Sequence, residues 1–216
     1  MPDSAPPATA TRSERKHAAI VAAAAEVFLD TGYDRASMDE IAARSGVSKQ
    51  TVYKHFSSKD LLFVAVVTEM MDQAGAAVHQ APPRLRDRAE LEAFLLDYGV
   101  RIQTVALTPG LMQLRRLVIS EVQRFPELAR ELYARGAGRA IGAMGALFET
   151  LREDGLLAFE DVAETASQLN WLLMGEPINR VMMLGNEAIP TPEDIQRHAR
   201  AAVATFLAAF LHPDQR

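Results

Sequence analysis

Ile20, Ala23, Ala24, Val27 and Phe28 recur at a spacing of three and four, so one stripe of a helix from about Ser13 to Thr31 faces a core. Gly32 stops it, as a helix C-terminus requires. Ser37 with Glu40 three residues on reads as a capping box opening a short helix that ends at Ser45-Gly46. Ser48 then caps a helix from Lys49 to about Phe56, and Ser57 or Ser58 caps another from Lys59. Such short connections force consecutive helices to cross steeply. Beyond, apolar stripes predict helices over Leu61 to about Val78, Arg88 to Leu107, Gly110 to Arg124, Pro126 to Gly155, Glu160 to Gly185 with a kink at Pro177, and Pro192 to Leu211. The pattern is all-α, about nine or ten helices, with few strand signals and no fixed-period repeat.

Composition narrows the function classes. In 216 residues there is no cysteine, which excludes disulfides, thiolate zinc sites and thiol nucleophiles and suits a cytoplasmic setting. No uninterrupted apolar run reaches the roughly 18 residues of a membrane span, so no membrane partner is expected. Residues 1–11 lack the basic and apolar regions of a signal peptide and read as a disordered arm. The histidines at 17, 55, 79, 198 and 212 have no metal-ligand spacing, and no nucleophile motif accompanies them. No catalytic residue, metal or cofactor is expected.

The formal charge of −5 argues against a nucleic-acid partner until its distribution is considered. Arg44 to Lys59 contains Arg44, Lys49, Lys54 and Lys59, with His55, and no acid. On charge alone a solvated basic face is the favoured reading. The surrounding residues decide. Ala42 is small where two helices approach, Gly46 supplies a turn with positive φ, and Val47 and Val52 lock the crossing. The next helix then turns outward Lys49, Gln50, Thr51, Lys54 and His55, with Tyr53 at its flank, groups that suit phosphates and base edges in a major groove.

From Ile20 to Leu61 the chain carries Ile20, Ala23, Phe28, Gly32, Tyr33, Ile41, Ala42, Gly46-Val47-Ser48, Thr51, Tyr53, Phe56 and Ser58-Lys59 in register. This stretch resembles the TetR repressor family, with Ser45 where alanine is more usual. The resemblance implies a homodimeric regulator of double-stranded operator DNA. It implies phosphate contacts from Ser37, Thr51, Tyr53, Lys54 and Lys59, and base-edge or backbone contacts from Ser48, Lys49, Gln50 and His55. Arg12, Arg15 and Lys16, preceding the first helix, are expected to reach a minor groove. Farther on, Leu114 to Leu128 is similar to the AefR-like subgroup of TetR C-terminal domains. The organisation expected is an arm (1–11), a helix-turn-helix DNA-binding domain (12–60) and a helical ligand-binding and dimerisation domain (61–216).

In that larger domain the bulky Phe94, Tyr98, Met112, Met144, Phe148, Trp171 and Met174 are candidates to line the pocket of an unidentified small, apolar effector, the alternative for each being ordinary core. Leu169, Leu172 and Leu173 on one late helix, with Val203, Phe206, Leu207 and Phe210 on the last, offer more apolar face than one subunit readily covers. The alternatives are burial within the monomer and, as the family resemblance implies, a four-helix dimer interface. Gly136-Ala137-Gly138-Arg139-Ala140-Ile141-Gly142 matches a dinucleotide-binding spacing but follows a helical pattern instead of a strand, so Gly138 and Gly142 are read as points of close helix approach. Two rival functions stay open: a helical enzyme or carrier, and a regulator answering to a protein partner instead of a metabolite.

Overall fold

The computed structural model describes residues 11–215, so residues 1–10 of the expected arm lie outside it. The described residues are helical: α1 (Arg12–Thr31), α2 (Met38–Ser45), α3 (Lys49–His55), α4 (Lys59–Val78), α5 (Arg88–Ala106), α6 (Pro109–Ser120), α7 (Pro126–Tyr133), α8 (Arg139–Glu153), α9 (Val162–Leu184) and α10 (Pro192–Phe210). A π-helical turn, Ala134–Gly138, joins α7 to α8. The chain divides into two compact units after Thr68.

In the first unit, α1 buries Ile20, Ala23, Ala24, Val27 and Phe28, the stripe read from spacing. Its start is fixed by a full capping box, in which Thr11 accepts from the Glu14 amide and the Glu14 carboxylate accepts from the Thr11 amide. At α2 only half of the expected box forms. Ser37 accepts from the Glu40 amide, while the Glu40 carboxylate turns to Arg44, 2.8 Å away. Arg12, Arg15 and Lys16 therefore occupy the first turns of α1, not an arm ahead of it. The aromatic centre is Tyr33, which is buried, stacks on Phe28 and touches Phe63 at the start of α4.

Gly32 and Gly46 end helices in different ways. Gly46 is left-handed (φ 68°, ψ 18°), a conformation asparagine tolerates, whereas Gly32 (φ 81°, ψ 167°) lies in a region essentially restricted to glycine.

The second unit has one main core, in which Leu91, Leu95 and Tyr98 of α5, Met144 and Phe148 of α8, Leu169, Leu173 and Met174 of α9, and Val203, Phe206 and Leu207 of α10 pack together. Phe148 and Phe206 stack with centroids 5.2 Å apart, and both are wholly buried. Met112 belongs to a separate small cluster with Leu107 and Val181. An isolated antiparallel bridge, Leu157 to Leu211, fastens the end of α10 to the segment after α8 through Ala158 N–H to Phe210 O (2.8 Å) and His212 N–H to Leu156 O (3.0 Å).

Three expectations are corrected here. Leu169, Leu173, Val203, Phe206 and Leu207 are buried within the subunit and have no surface to offer a partner; only Leu172 and Phe210 of that set are part-exposed. Tyr98, Met112, Met144 and Phe148 are core. Gly142 faces open space and Gly138 meets only the Tyr133 backbone of its own helix; close approach is made instead at Gly75, under Arg139, and at Gly136, where a Cβ would stand 3.3 Å from Met71. As for membrane-length segments, α4 as a helix is 20 residues long with a mean hydropathy of 1.5 over its most apolar window, although Glu69 and Asp72 interrupt the run. Leu62, Phe63, Val66, Val67, Met71 and Val78 of this helix are buried.

Phe206→Ala is expected to lower stability by about 3 to 5 kcal/mol through lost burial and the cavity left behind. Phe206→Glu should unfold the second unit instead of releasing folded monomers. Denaturant melts followed by circular dichroism check both; a folded glutamate variant would show that this ring is not core.

Candidate functional site

Two regions carry chemistry. In the first unit, α2 and α3 are joined through left-handed Gly46, and Ser48 caps α3 by accepting from the Thr51 amide. Val52 is completely buried and pins α3 to the unit's core. This leaves Lys49, Gln50, Tyr53 and Lys54 exposed on one short helix, with Tyr53 44% exposed despite its size. Thr51 and His55 are half-buried. The Thr51 hydroxyl is 2.8 Å from that of Ser48, and the His55 ring packs edge-on to His17, 6.0 Å between centroids. Ser37 is exposed as the cap of α2.

The cations differ from one another. Arg44 binds Asp30 (3.1 Å) and Glu40 (2.8 Å). Lys49 meets Asp39 at 2.7 Å, and this hydrogen-bonded contact raises its pKa. Both partners of that pair are exposed, so its net contribution is small and a phosphate can replace the carboxylate. Lys54 has no ion-pair partner among the described residues. Lys59 is turned inward: its ammonium donates to the carbonyls of Tyr33 (2.9 Å), Asp34 (3.2 Å) and Ala36 (3.1 Å) and lies 4.5 Å over the Tyr33 ring. Beside it the Tyr33 hydroxyl donates to Asp60. The three donors of the ammonium are thereby occupied within the unit, and the expected phosphate contact gives way to a tie across the α1–α2 connection. Residue spacing reveals where a cation stands, not where a flexible four-carbon chain carries its charge.

In the second unit a partly open cavity, with about 90 Å³ of space for water-sized centres, lies among α4, α5, α6, α7, the π turn, α8 and α9. Val78, Ile102, Leu132, Met174 and Ile178 give it apolar walls, with Gly75, Gly136 and Ala137 making room. Of the seven expected lining residues the structure brings Trp171 and Met174 to it, and Phe94 is half-buried against the main core instead. Sequence reasoning missed His79, Arg115, Arg135 and Asn170 in the wall because it searched for bulky apolar groups. The π turn was the available signal: Gly136 marks a weak point in the helical pattern, and Arg135, Gly136 and Ala137 line the cavity. Burial, followed by the charges of Arg139 and Arg101, lowers the His79 pKa, so at neutral pH the ring is uncharged. Among the described residues no cluster of His, Asp or Glu is arranged to hold a metal ion.

A glycine-turned helix pair presenting a polar recognition helix, followed by a helical unit with an apolar cavity, defines a helix-turn-helix regulator. Two family profiles match the chain: bacterial regulatory proteins, tetR family, over residues 20–66, and AefR-like transcriptional repressor, C-terminal domain, over residues 93–211. The chain belongs to the TetR family of DNA-binding transcriptional regulators. The HTH-type transcriptional activator FasR of Mycolicibacterium smegmatis is 48% identical over 88 residues, 38% of this chain and 40% of FasR. Among solved structures, a TetR-family transcriptional regulator from Mesorhizobium loti is 34% identical (TM-score 0.84), the match covering 94% of this chain and all of that one. The flavonoid-responsive regulator FrrA is 30% identical (TM-score 0.75), covering 91% of this chain and 97% of FrrA.

Lys59→Met is expected to cost about 2 kcal/mol of stability in the first unit through lost charge-assisted hydrogen bonds. Lys54→Ala should leave stability unchanged and flatten the salt dependence of DNA binding by about 0.9 in log-log slope per recognition helix engaged. Denaturant melts and binding titrations across a salt series check the pair. An unchanged melt for the methionine variant would remove the assigned tie.

Proposed function

We propose that this chain is a ligand-responsive homodimeric repressor that holds a palindromic operator in the cytoplasm and is released by a small effector. The observation that carries the reading is a partly open, largely apolar cavity in the same chain as an exposed recognition helix. Lys49, Gln50, Tyr53 and Lys54 are assigned to DNA, with the hydroxyls of Ser37, Ser48 and Thr51 beside them. Residues 12–60 form the DNA-binding domain, completed by the first turns of α4, and the remainder binds ligand and partner. The AefR-like repressor profile favours repression over activation, and the flavonoid response named for FrrA supports a small-molecule effector.

For the dimer, the outward faces of α9 and α10 remain after the core is subtracted. Trp171, Leu172, Gly175 and Met183 lie on one helix, and Ala201, Ala204, Thr205 and Ala208 on the other. Small residues on paired helices permit close approach. A Cβ at Gly175 meets nothing within 4 Å, so a large side chain there leaves the subunit undisturbed. Gly175→Arg is therefore expected to give a folded, helical monomer with much weakened operator binding. Light scattering with circular dichroism checks it, and an unchanged dimer mass removes α9 from the interface.

The function is tested by selecting bound fragments from genomic DNA. The expected result is an inverted repeat whose half-sites lie about 34 to 36 Å apart, or a multiple of that spacing. An effector that releases the DNA will itself be bound more weakly in the presence of operator by the same factor, about 5- to 150-fold for a coupling of roughly 1 to 3 kcal/mol. Calorimetric titrations with and without operator compare the two directions. Failure to retain any DNA at low salt would overturn the assignment.

A further inference from the structure

The cavity wall is apolar except in a few places, and its charge has one sign. No aspartate or glutamate lines it. Arg135, in the π turn, is neutralised by Asp72 (2.6 Å) and Glu131 (2.9 Å). Arg115, on α6, is not: it makes no ion pair among the described residues, and its Nε is sealed from solvent without a hydrogen-bond partner. Burial lowers its pKa, and no acid acts in the opposite direction. Asn170 of α9 reaches the same cavity and is only 7% exposed. A partly desolvated guanidinium without a counter-charge is costly to hold. Arg116, the next residue, shows the alternative, since its guanidinium is satisfied by Asn186 (2.6 Å).

We propose that the cavity takes an amphipathic anion: an apolar, ring-sized body against Val78, Ile102, Leu132 and Met174, and a carboxylate or sulfonate head on Arg115 and Asn170. This refines the effector from simply apolar to singly charged, and it rests on the cavity being the effector site. The fork of Arg115 suits a head group with two or three oxygens, and Asn170 supplies a further donor from a different helix. A neutral compound of the same shape would leave the Arg115 charge buried and unpaired, so the site selects against it.

The test uses two dyes with the same anilinonaphthalene body: 8-anilinonaphthalene-1-sulfonate, and N-phenyl-1-naphthylamine, which lacks the sulfonate. Trp171 lines the cavity and is the chain's only tryptophan, so energy transfer from it detects either bound dye, and the Arg115 variants assign that dye to the cavity. In Arg115→Met the dissociation constant of the sulfonate should rise about tenfold or more while that of the neutral dye changes less than about threefold. Arg115→Lys should retain part of the preference. The ligand-free melting temperature of the methionine variant should equal or exceed that of the wild type, because an uncompensated charge has been removed. Equal loss of both dyes with a lowered melting temperature would make Arg115 a scaffold residue and overturn the proposal. Undiminished sulfonate binding in the methionine variant would overturn the anion assignment and leave the cavity as effector site. If neither dye draws energy from Trp171 in the wild type, the cavity reading falls, and the anion with it.

Discussion

Phe148 of α8 stacks on Phe206 of α10, and that contact determines what remains available elsewhere in the second unit. Because these two rings meet each other at the centre, neither lines the cavity, whose room comes from Gly75, Gly136 and Ala137. The exposed face of the C-terminal half of α10 is left to alanines and a threonine. A close-packed interior has no room for a bulky side chain to serve both core and pocket.

This explains which parts of the sequence were legible. Helix existence, order and most boundaries follow from periodicity and from Gly46, Ser48, Asp154-Gly155 and Pro192, because those signals act locally. The fate of Phe148, Met144 or Leu173 does not, since an apolar side chain at helical spacing reads identically whether it meets its own subunit, a ligand or a second copy. Trp171 and Met174 reached the cavity and Tyr98 did not, although all three were chosen for size. Arg115 was overlooked for the opposite reason: within a run of Leu114-Arg115-Arg116-Leu117 it reads as a solvated face. Only the fold separates it from its neighbour.

The first unit follows a similar logic with charge in place of volume. The four cations from Arg44 to Lys59 look equivalent along the chain, yet Lys54 has no ion-pair partner among the described residues, Lys49 is exchangeable, Arg44 is doubly paired and Lys59 is internal. Lys59 does for the α1–α2 connection what a buried hydrogen-bonded water does in other loops, satisfying three carbonyls that no helix claims. The recognition helix is short and retains few internal hydrogen bonds, so its placement depends on such fixed surroundings, on Val52 beneath it and on the Gly46 turn before it.

The bridge that fastens Leu211 to Leu157 bears on how the protein is made. The first unit is local in sequence, and its aromatic centre is complete once Phe63 has been synthesised. The second unit is not, because α10 supplies Phe206, Leu207 and the strand-like clasp to partners that emerged from the ribosome much earlier. During synthesis at about 5 to 20 residues per second, α5, α8 and α9 wait for several seconds with an apolar seam exposed. The nascent DNA-binding unit can thus be native while the ligand-binding unit still calls for chaperone protection, so limiting chaperone capacity would reduce the yield of effector-competent protein before it impaired the fold of the first unit.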